Sequence, residues 1–536
     1  MEREEYDVTV DVVVVGSGAA GMTAALGAAH HGLTAVVLEK ADRFGGSTAR
    51  SGGGVWIPGN SALPFPDPIE DALAYLSRLA GDGPRDQRRQ RAFLAHGPAM
   101  LDFVMAHTPL RFQWVPGYPD YYPSVPGGLA QGRTIDPSPL DGRVLGPELS
   151  KLNKPYISTR GLTITAADYR WMSLGTRHPR SILTTARVVM RLALSRLLRR
   201  RMLSMGQALA AGLRAGLLSA GVPVYLSTPL SSLDVDPNGR VVGVNGRFQA
   251  RRGVVLASGG FEHNEAMRHK YQREPIGTQW TVGASSNTGD GIDAGLALGA
   301  ALDLMDEAWW GPAIPLSGGP YFCLAERSLP GSLMVDGNGS RFVNESAPYI
   351  DAVNAMYEHD AIPAWLVFDQ RYRDRYLFAG LGPRQPLPRR WYDAGAVVRG
   401  SSLGELGLPL LPKTVARFNE LAASGRDGDF GRGDSVYDRY YGDPRNRPNP
   451  CLGPLLKPPF YAVRLVPGDL GTKGGLVTDE RARVLRPDGS WIEGLYAAGN
   501  ASAAVMGRSY AGAGATIGPA MTFGYLAALD LASVEA

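Results

Sequence analysis

The chain has 536 residues, two to three times a usual single domain, so two or more structural units sharing a large buried core are expected. Its 44% hydrophobic and 20% charged content is that of an ordinary globular protein, which excludes a disulfide-stapled miniature and a mainly disordered chain. A formal net charge of +4 is too small over this length to build the field that nucleic-acid binding needs.

The chain opens Met1-Glu2-Arg3-Glu4-Glu5, the reverse of a basic signal-peptide start, and glycine or charge interrupts every long apolar run. A cytoplasmic protein that spans no membrane is expected. Cys323 and Cys451 stand apart with no histidine at ligand spacing, which argues against disulfides, zinc and iron–sulfur clusters. The eight histidines are scattered, so no metal site is expected, and His30-His31 reads as a solvated helix end.

Val12 to Val15 is a β-branched run of the kind found in a strand buried on both faces, and it feeds into Gly16-Ser17-Gly18-Ala19-Ala20-Gly21 and a small-residue helix, Met22 to His30. A second strand, Ala35 to Leu38, ends in Glu39. The spacing predicts a mononucleotide-binding βαβ unit: glycines for the tight turn and close approach to a pyrophosphate, then an acid about twenty residues on for a ribose hydroxyl. After Glu39-Lys40 come Gly45-Gly46-Ser47-Thr48 and Ser51-Gly52-Gly53-Gly54, a second glycine-rich stretch that suggests a ligand bulkier than one diphosphate.

From Arg170 to Arg201 the chain carries nine arginines and no acid, interleaved with Ile182-Leu183, Val188-Val189-Met190, Leu192, Leu194 and Leu197-Leu198. Two readings stand: a helix peripheral to an anionic membrane surface, and a basic surface helix packed on its own domain. Val241 to Val244 and Gly253 to Gly260 return to strand character, the latter stopping at Gly259-Gly260. Near the far end, Trp491 to Asn500 reads as a strand stopping at Ala498-Gly499-Asn500. A loop from Ser502 to Gly514 leads into a helix that begins near Ile517-Gly518-Pro519 and runs to about Leu531; its first-turn N–H groups suit the pyrimidine edge of a flavin. Segments from both chain ends thus converge on one cofactor. The expected fold is α/β, a Rossmann-like dinucleotide-binding domain (1–306 and 471–536) with an inserted α+β domain (307–470).

Together with Tyr118-Pro119-Asp120-Tyr121-Tyr122, Asn287-Thr288-Gly289-Asp290, Arg341 to Tyr349, Asp469 to Gly475 and Tyr510-Ala511-Gly512-Ala513-Gly514, these motifs resemble the 3-ketosteroid Δ1-dehydrogenases, which group with the fumarate reductase and succinate dehydrogenase flavoproteins. The likeness covers nearly the whole chain in order. It departs at Ala511 and Ala513, where better-known members carry proline. The resemblance implies noncovalent FAD, since no histidine follows Gly45-Gly46 to suggest a covalent link, with Asp290 among the cofactor's neighbours, and an enzyme of steroid metabolism that desaturates C1–C2 and passes electrons to an acceptor.

By the same likeness, Tyr510 and the backbone N–H of Gly514 hold the C3 ketone as an oxyanion hole, Tyr349 takes the C2 proton, and Tyr121 lies beside it. A phenol is a weak base at neutral pH and needs a neighbouring hydroxyl or positive field, which the sequence does not locate. Trp309, Trp310, Tyr321 and Phe322 are candidates for shaping a sterol pocket, and equally for plain core. Two other functions are weighed: a fumarate-reductase-like enzyme of small dicarboxylates, which needs cationic clamps, and a flavin-binding protein without turnover.

Overall fold

The computed structural model describes residues 6–159 and 161–533; the acidic opening Met1–Glu5 lies outside them. The predicted βαβ opening forms as strand Val8–Val15, helix Ala19–His30 and strand Ala35–Leu38. Val12, Val13 and Val14 are fully buried, as a β-branched run with no polar face requires. The Val8–Val15 strand sits in the middle of the sheet, parallel to Ala35–Leu38 on one side and to Phe248–Leu256 on the other. Trp491–Ala497 extends the sheet in parallel beyond Phe248–Leu256, so a strand from the far end of the chain lies two places from the first. The final helix, Ile517–Ser533, packs against Ala19–His30. Their approach depends on glycine: a Cβ at Gly524 would sit 2.3 Å from the carbonyl oxygen of Ala20.

A second, antiparallel sheet is built from 308–472. The long strand Phe460–Thr472 is its spine, pairing through its first half with Ala364–Asp369 and Val397–Gly400 and through its second with Ala308–Ile314. Helix Tyr349–Glu358 packs on Ala308–Ile314. The spine is anchored to the first unit by a buried ion pair, Arg268 Nη2 to Asp469 Oδ2 at 2.8 Å, and by the Phe261 amide donating to Thr472 Oγ1 at 2.9 Å. The Asp469–Gly475 motif is therefore a joint between units.

At the surface, His30 and His31 are both exposed at the end of their helix, as a solvated helix end requires, with the His30 ring 5.3 Å from Phe103 and 4.0 Å from His107. In the arginine-rich segment, helix Pro179–Leu197 turns Ser181, Thr184, Val188 and Ser195 inward and leaves Ile182, Leu183, Val189, Met190, Leu194 and Leu197 exposed. Polarity is largely inverted relative to an ordinary surface helix, which buries its apolar stripe.

Candidate active site

The predicted cofactor residues line one region at the carboxyl ends of the parallel strands. Gly16, at φ +111°, turns the chain so tightly that a Cβ would lie 2.2 Å from the carbonyl oxygen of Ala257. Glu39 is buried; its Oε2 accepts from the Ser17 amide at 3.1 Å and Oε1 from the Ala41 amide at 2.9 Å. The second glycine stretch folds onto the first, with Thr48 Oγ1 accepting from the Ala19 amide at 2.9 Å and Gly45 donating to Ser17 Oγ at 3.0 Å. Ser47 Oγ accepts from Asn287 Nδ2 at 3.0 Å, and Lys40 pairs with Asp290 at 2.8 Å, so the Asn287–Asp290 motif closes the same region. Gly259 lies against Asn287 and Gly260 against Thr472, while Gly53 packs on Met205 and Gly52 meets nothing.

The remaining predicted positions frame a cleft lined by Gly499, Asn500, Thr516, Pro519 and Trp309 at the start of the last helix. Trp309 Nε1 donates to Asn500 Oδ1 at 3.1 Å, and Gly518 presses on the carbonyl of Trp56. Glycine turns, a buried ribose-type acid and this cleft at the strand ends fit a dinucleotide carrying a flat ring system. Among the described residues, no group of His, Cys, Asp or Glu is arranged to hold a metal.

Beside the cleft the three predicted tyrosines meet, although 228 residues separate Tyr121 from Tyr349. Tyr121 Oη donates to Tyr349 Oη at 2.7 Å. The ring of Tyr510 lies 5.2 Å from that of Tyr121 and, edge-on, 5.5 Å from that of Tyr349. All three are buried. Burial pushes the Tyr121 and Tyr349 hydroxyls well above a phenol's ordinary value; for Tyr349 the bond from Tyr121 pulls the other way. Burial also raises Tyr510, opposed by its 2.9 Å hydrogen bond with Thr516 Oγ1. Gly514 holds φ +94°, a Cβ there would sit 2.5 Å from the Gly54 carbonyl carbon, and its own N–H donates to no protein acceptor among the described residues.

Each tyrosine is delivered by a built scaffold. Tyr349 is the first residue of its helix, behind Pro348, and the turn before it is held by Arg327, which donates to the carbonyls of Glu345 at 2.7 Å and Ala347 at 3.3 Å. Glu345 itself is buried between Arg341 at 2.8 Å and Arg432 at 3.2 Å, so the Arg341–Tyr349 motif serves mostly to fix that turn. Tyr121 follows Asp120, whose carboxylate is buried against Arg133 and accepts from Trp56 Nε1 at 2.8 Å and the Leu129 amide at 3.1 Å. The Tyr121 amide donates to Ala511 O at 3.0 Å, tying this segment to the Tyr510–Gly514 loop.

Of the other aromatic candidates, Trp309 stands edge-on to Tyr510 at 4.8 Å and Phe322 to Tyr349 at 5.1 Å. Trp310 instead donates to Glu307 and Tyr321 to Glu326, both away from the tyrosines. Tyr122 bonds Asp351 at 2.8 Å, which leaves Tyr121 as the partner of Tyr349. Three residues near the site escaped the sequence reading: Tyr437, 4.9 Å from Tyr121, Arg327, and Lys473. Lys473 is fully buried, donates to Ser509 O at 2.7 Å, and lies 4.5 Å above the Trp309 ring; burial pulls its ammonium down to about 7. Its position inside the Asp469–Gly475 motif was the available signal.

The family model of the FAD binding domain matches residues 11–517. The chain is 52% identical to the 3-oxosteroid 1-dehydrogenase of Mycolicibacterium smegmatis, with 100% of this chain and 99% of the relative covered. It is 55% identical to that of Mycobacterium tuberculosis, covering 97% and 98%. The crystal structure of 3-ketosteroid Δ1-dehydrogenase from Sterolibacterium denitrificans in complex with 1,4-androstadiene-3,17-dione superposes with a TM-score of 0.94 at 41% identity, over 98% of this chain and 100% of that one. The chain is thus an FAD-dependent oxidoreductase of the FAD-binding flavoprotein superfamily. Within it, the chain belongs to the 3-oxosteroid 1-dehydrogenases.

Proposed function

We propose that the site desaturates the C1–C2 bond of a 3-ketosteroid, with Tyr510 and the Gly514 amide on the C3 oxygen and Tyr349, backed by Tyr121, as the base for the C2 proton. The observation that carries this reading is the hydrogen-bonded hydroxyl pair Tyr121–Tyr349 packed against Tyr510, next to an amide with no protein acceptor. FAD, when bound, supplies the acceptor for the hydride that leaves C1. The chain's residues do the rest. Two donors fixed in a dry pocket favour negative charge on the C3 oxygen, acidifying the adjacent C2–H. The proton passes to Tyr349 Oη, and the donated bond from Tyr121 stabilises the phenolate form that accepts it. Residues 307–470 act as the substrate-covering domain, and 1–306 with 471–536 carry the cofactor.

A dicarboxylate reading is poorly served here, since tyrosines stand where anion clamps are needed and Arg327 is committed to backbone carbonyls. Anaerobic addition of a 3-ketosteroid to the FAD-loaded protein tests the proposal. Bleaching of the flavin by the steroid is expected. Bleaching by succinate instead, or by neither, would overturn it.

No helix among the described residues is long and apolar enough to cross a membrane. The inverted helix Pro179–Leu197 supports peripheral contact with an anionic lipid surface: exposed Leu183 (65%), Met190 (59%) and Leu197 (78%) insert, while Arg180, Arg187, Arg196 and Arg199, none in an ion pair among the described residues, meet phosphate. Flotation with vesicles containing anionic phospholipid should occur at low salt and be lost in Leu183→Glu/Leu197→Glu; flotation unchanged by the double substitution would assign the helix to other contacts.

A further inference from the structure

Lys473 is fully buried, and the chemistry assigned to the tyrosines gives it no part. Its ammonium makes one hydrogen bond and no ion pair among the described residues, donating to Ser509 O at 2.7 Å. The charged groups that face it are Glu307, Arg508 and Asp351. Both acids are engaged elsewhere: Glu307 accepts from Arg508 at 2.7 Å and from Trp310 at 3.1 Å, and Asp351 from Tyr122 at 2.8 Å. Burying an ammonium without an ion pair is unfavourable, whereas a methionine of similar length would fill the same space with no charge to desolvate. The contact with Ser509 is what the lysine supplies and a methionine would not.

Ser509 immediately precedes Tyr510. Beyond Tyr510 the loop is held at each carbonyl: Ala511 O by the Tyr121 amide at 3.0 Å and Tyr75 Oη at 2.7 Å, Ala513 O by Thr134 Oγ1 at 2.8 Å, and Gly514 O by the Trp56 amide at 3.2 Å. The backbone N–H and carbonyl of Tyr510 itself have no protein partner among the described residues. On the near side the buried side chain that grips the main chain is Lys473, while Arg508 pairs with Asp306 and Glu307 from the exposed face. Lys473 also lies 4.5 Å from the centre of the Trp309 ring, which stands edge-on to Tyr510 at 4.8 Å. It therefore restrains Tyr510 twice, through the main chain and across an aromatic ring.

Neighbours of the other two tyrosines join the same layer. Tyr122, next to Tyr121, bonds Asp351, two residues past Tyr349, and its amide donates to Tyr75 Oη at 3.2 Å. Behind the three tyrosine hydroxyls thus lies a second polar layer built from residues adjacent to them in sequence. We propose that Lys473 is a positioning residue for the desaturation: its ammonium fixes Ser509 and the Trp309 ring so that the Tyr510 hydroxyl stays aimed at the C3 oxygen. The inference rests on the desaturation reading and adds to it the group that orients one of its two oxyanion donors. Such donors act only when fixed in place, and a displacement on the order of 1 Å costs up to about a hundredfold in rate.

The test is a double-substitution cycle, read as anaerobic flavin reduction per bound FAD by a 3-ketosteroid, with Tm recorded in parallel. Lys473→Met keeps the packing on Trp309 and removes the charge and the donor. It should lower the saturating rate by about ten- to a hundredfold while half-saturating steroid changes by less than about threefold, because no contact with bound steroid is lost. Lys473→Gln, which keeps a neutral N–H donor within reach of Ser509 O, should lose less, about fivefold, and carries the cycle should Lys473→Met fail to retain FAD. In the Tyr510→Phe background either substitution should change the rate by less than about threefold, since its effect passes through a hydroxyl already removed. Full multiplication of the two losses overturns the proposal. So do rates per flavin within about twofold of the unsubstituted protein in both variants, whatever their Tm, or a Lys473→Met rate above that of Lys473→Gln. A Tyr510→Phe protein that reduces its flavin at the unsubstituted rate removes the oxyanion reading and this inference together. A large loss in Tyr510→Phe beside unchanged Lys473 variants removes this inference alone.

Discussion

Tyr510→Phe separates the electrostatic role of this residue from its packing. The ring touches Trp309, Tyr121 and Tyr349, and phenylalanine keeps all three contacts. The hydroxyl makes one protein hydrogen bond, to Thr516 Oγ1 at 2.9 Å, and Thr516 is only half-buried, so the loss to stability is about 1 kcal/mol. In a protein of this size that shifts Tm by no more than about 2 °C. The catalytic loss is much larger. Removing one of two fixed donors to a developing oxyanion costs about 10²–10³ in rate, or roughly 3–4 kcal/mol. The assay is anaerobic stopped-flow reduction of the bound flavin by a 3-ketosteroid at saturation, with Tm recorded in parallel. A rate within about threefold of the unsubstituted protein would refute the oxyanion assignment. A fall of many degrees in Tm with a proportionate loss of folded protein would show that the hydroxyl is structural.

Gly514→Ala forces a side chain into φ +94° and into the Gly54 backbone, so the loop must move and withdraw its amide; flavin reduction should fall by about 10²-fold while FAD still binds, measured by retained flavin absorbance. Because burial holds the Tyr349 phenol well above its ordinary value, the rate of flavin reduction should rise with pH across the alkaline range. Tyr121→Phe removes the bond that opposes this shift, so the rising limb should move to higher pH in a rate–pH profile; an unmoved limb would separate Tyr121 from the base. Asp120→Ala leaves Arg133 buried with one of its two acids missing, and should cost about 3–5 kcal/mol in chemical denaturation. Lys473, pulled down from 10.5 to about 7, binds fewer protons folded than unfolded between those values, so it makes stability rise with pH in that window; Lys473→Met should flatten that rise in denaturation midpoints taken across it.

The cofactor half was legible because its signals are local. Turn glycines, a buried valine run and Glu39 at the end of the next strand lie within one stretch of chain, and each is dictated by backbone geometry that sequence displays directly. The pairing of Tyr121 with Tyr349 is of another kind. It depends on a helix start fixed by Arg327 and on a loop pinned by Asp120, Arg133 and Trp56, contacts between distant segments that no period or spacing announces. Only family likeness brought those tyrosines together before the structure did. The arginine-rich helix shows a middle case. Its composition was plain, but which face turns outward depends on what Ser181, Thr184 and Val188 pack against, and a helical wheel does not say that.

On the proposed reading, the burial that favours an oxyanion hole disfavours a base, and the arrangement of the hydroxyls reconciles the two. Oxyanion donors gain strength as water is excluded, whereas a phenolate in the same dry space loses the solvation that would stabilise it. A carboxylate placed against Tyr349 would raise the phenol further and oppose charge on the C3 oxygen, and a cation would put a permanent charge into a pocket meant for an apolar ring. A neutral hydroxyl does neither. Tyr121 sits at hydrogen-bond distance from Tyr349 Oη and can stabilise negative charge there only as it forms, while leaving the resting pocket uncharged for an apolar sterol ring. Lys473, one ring behind Tyr510 across Trp309, carries its charge where it bears on the loop and not on the tyrosine pair. On the proposed reading, proton loss at C2 and charge growth on the C3 oxygen advance together, because the dry pocket holds no charge in advance at either the Tyr349 hydroxyl or the ketone.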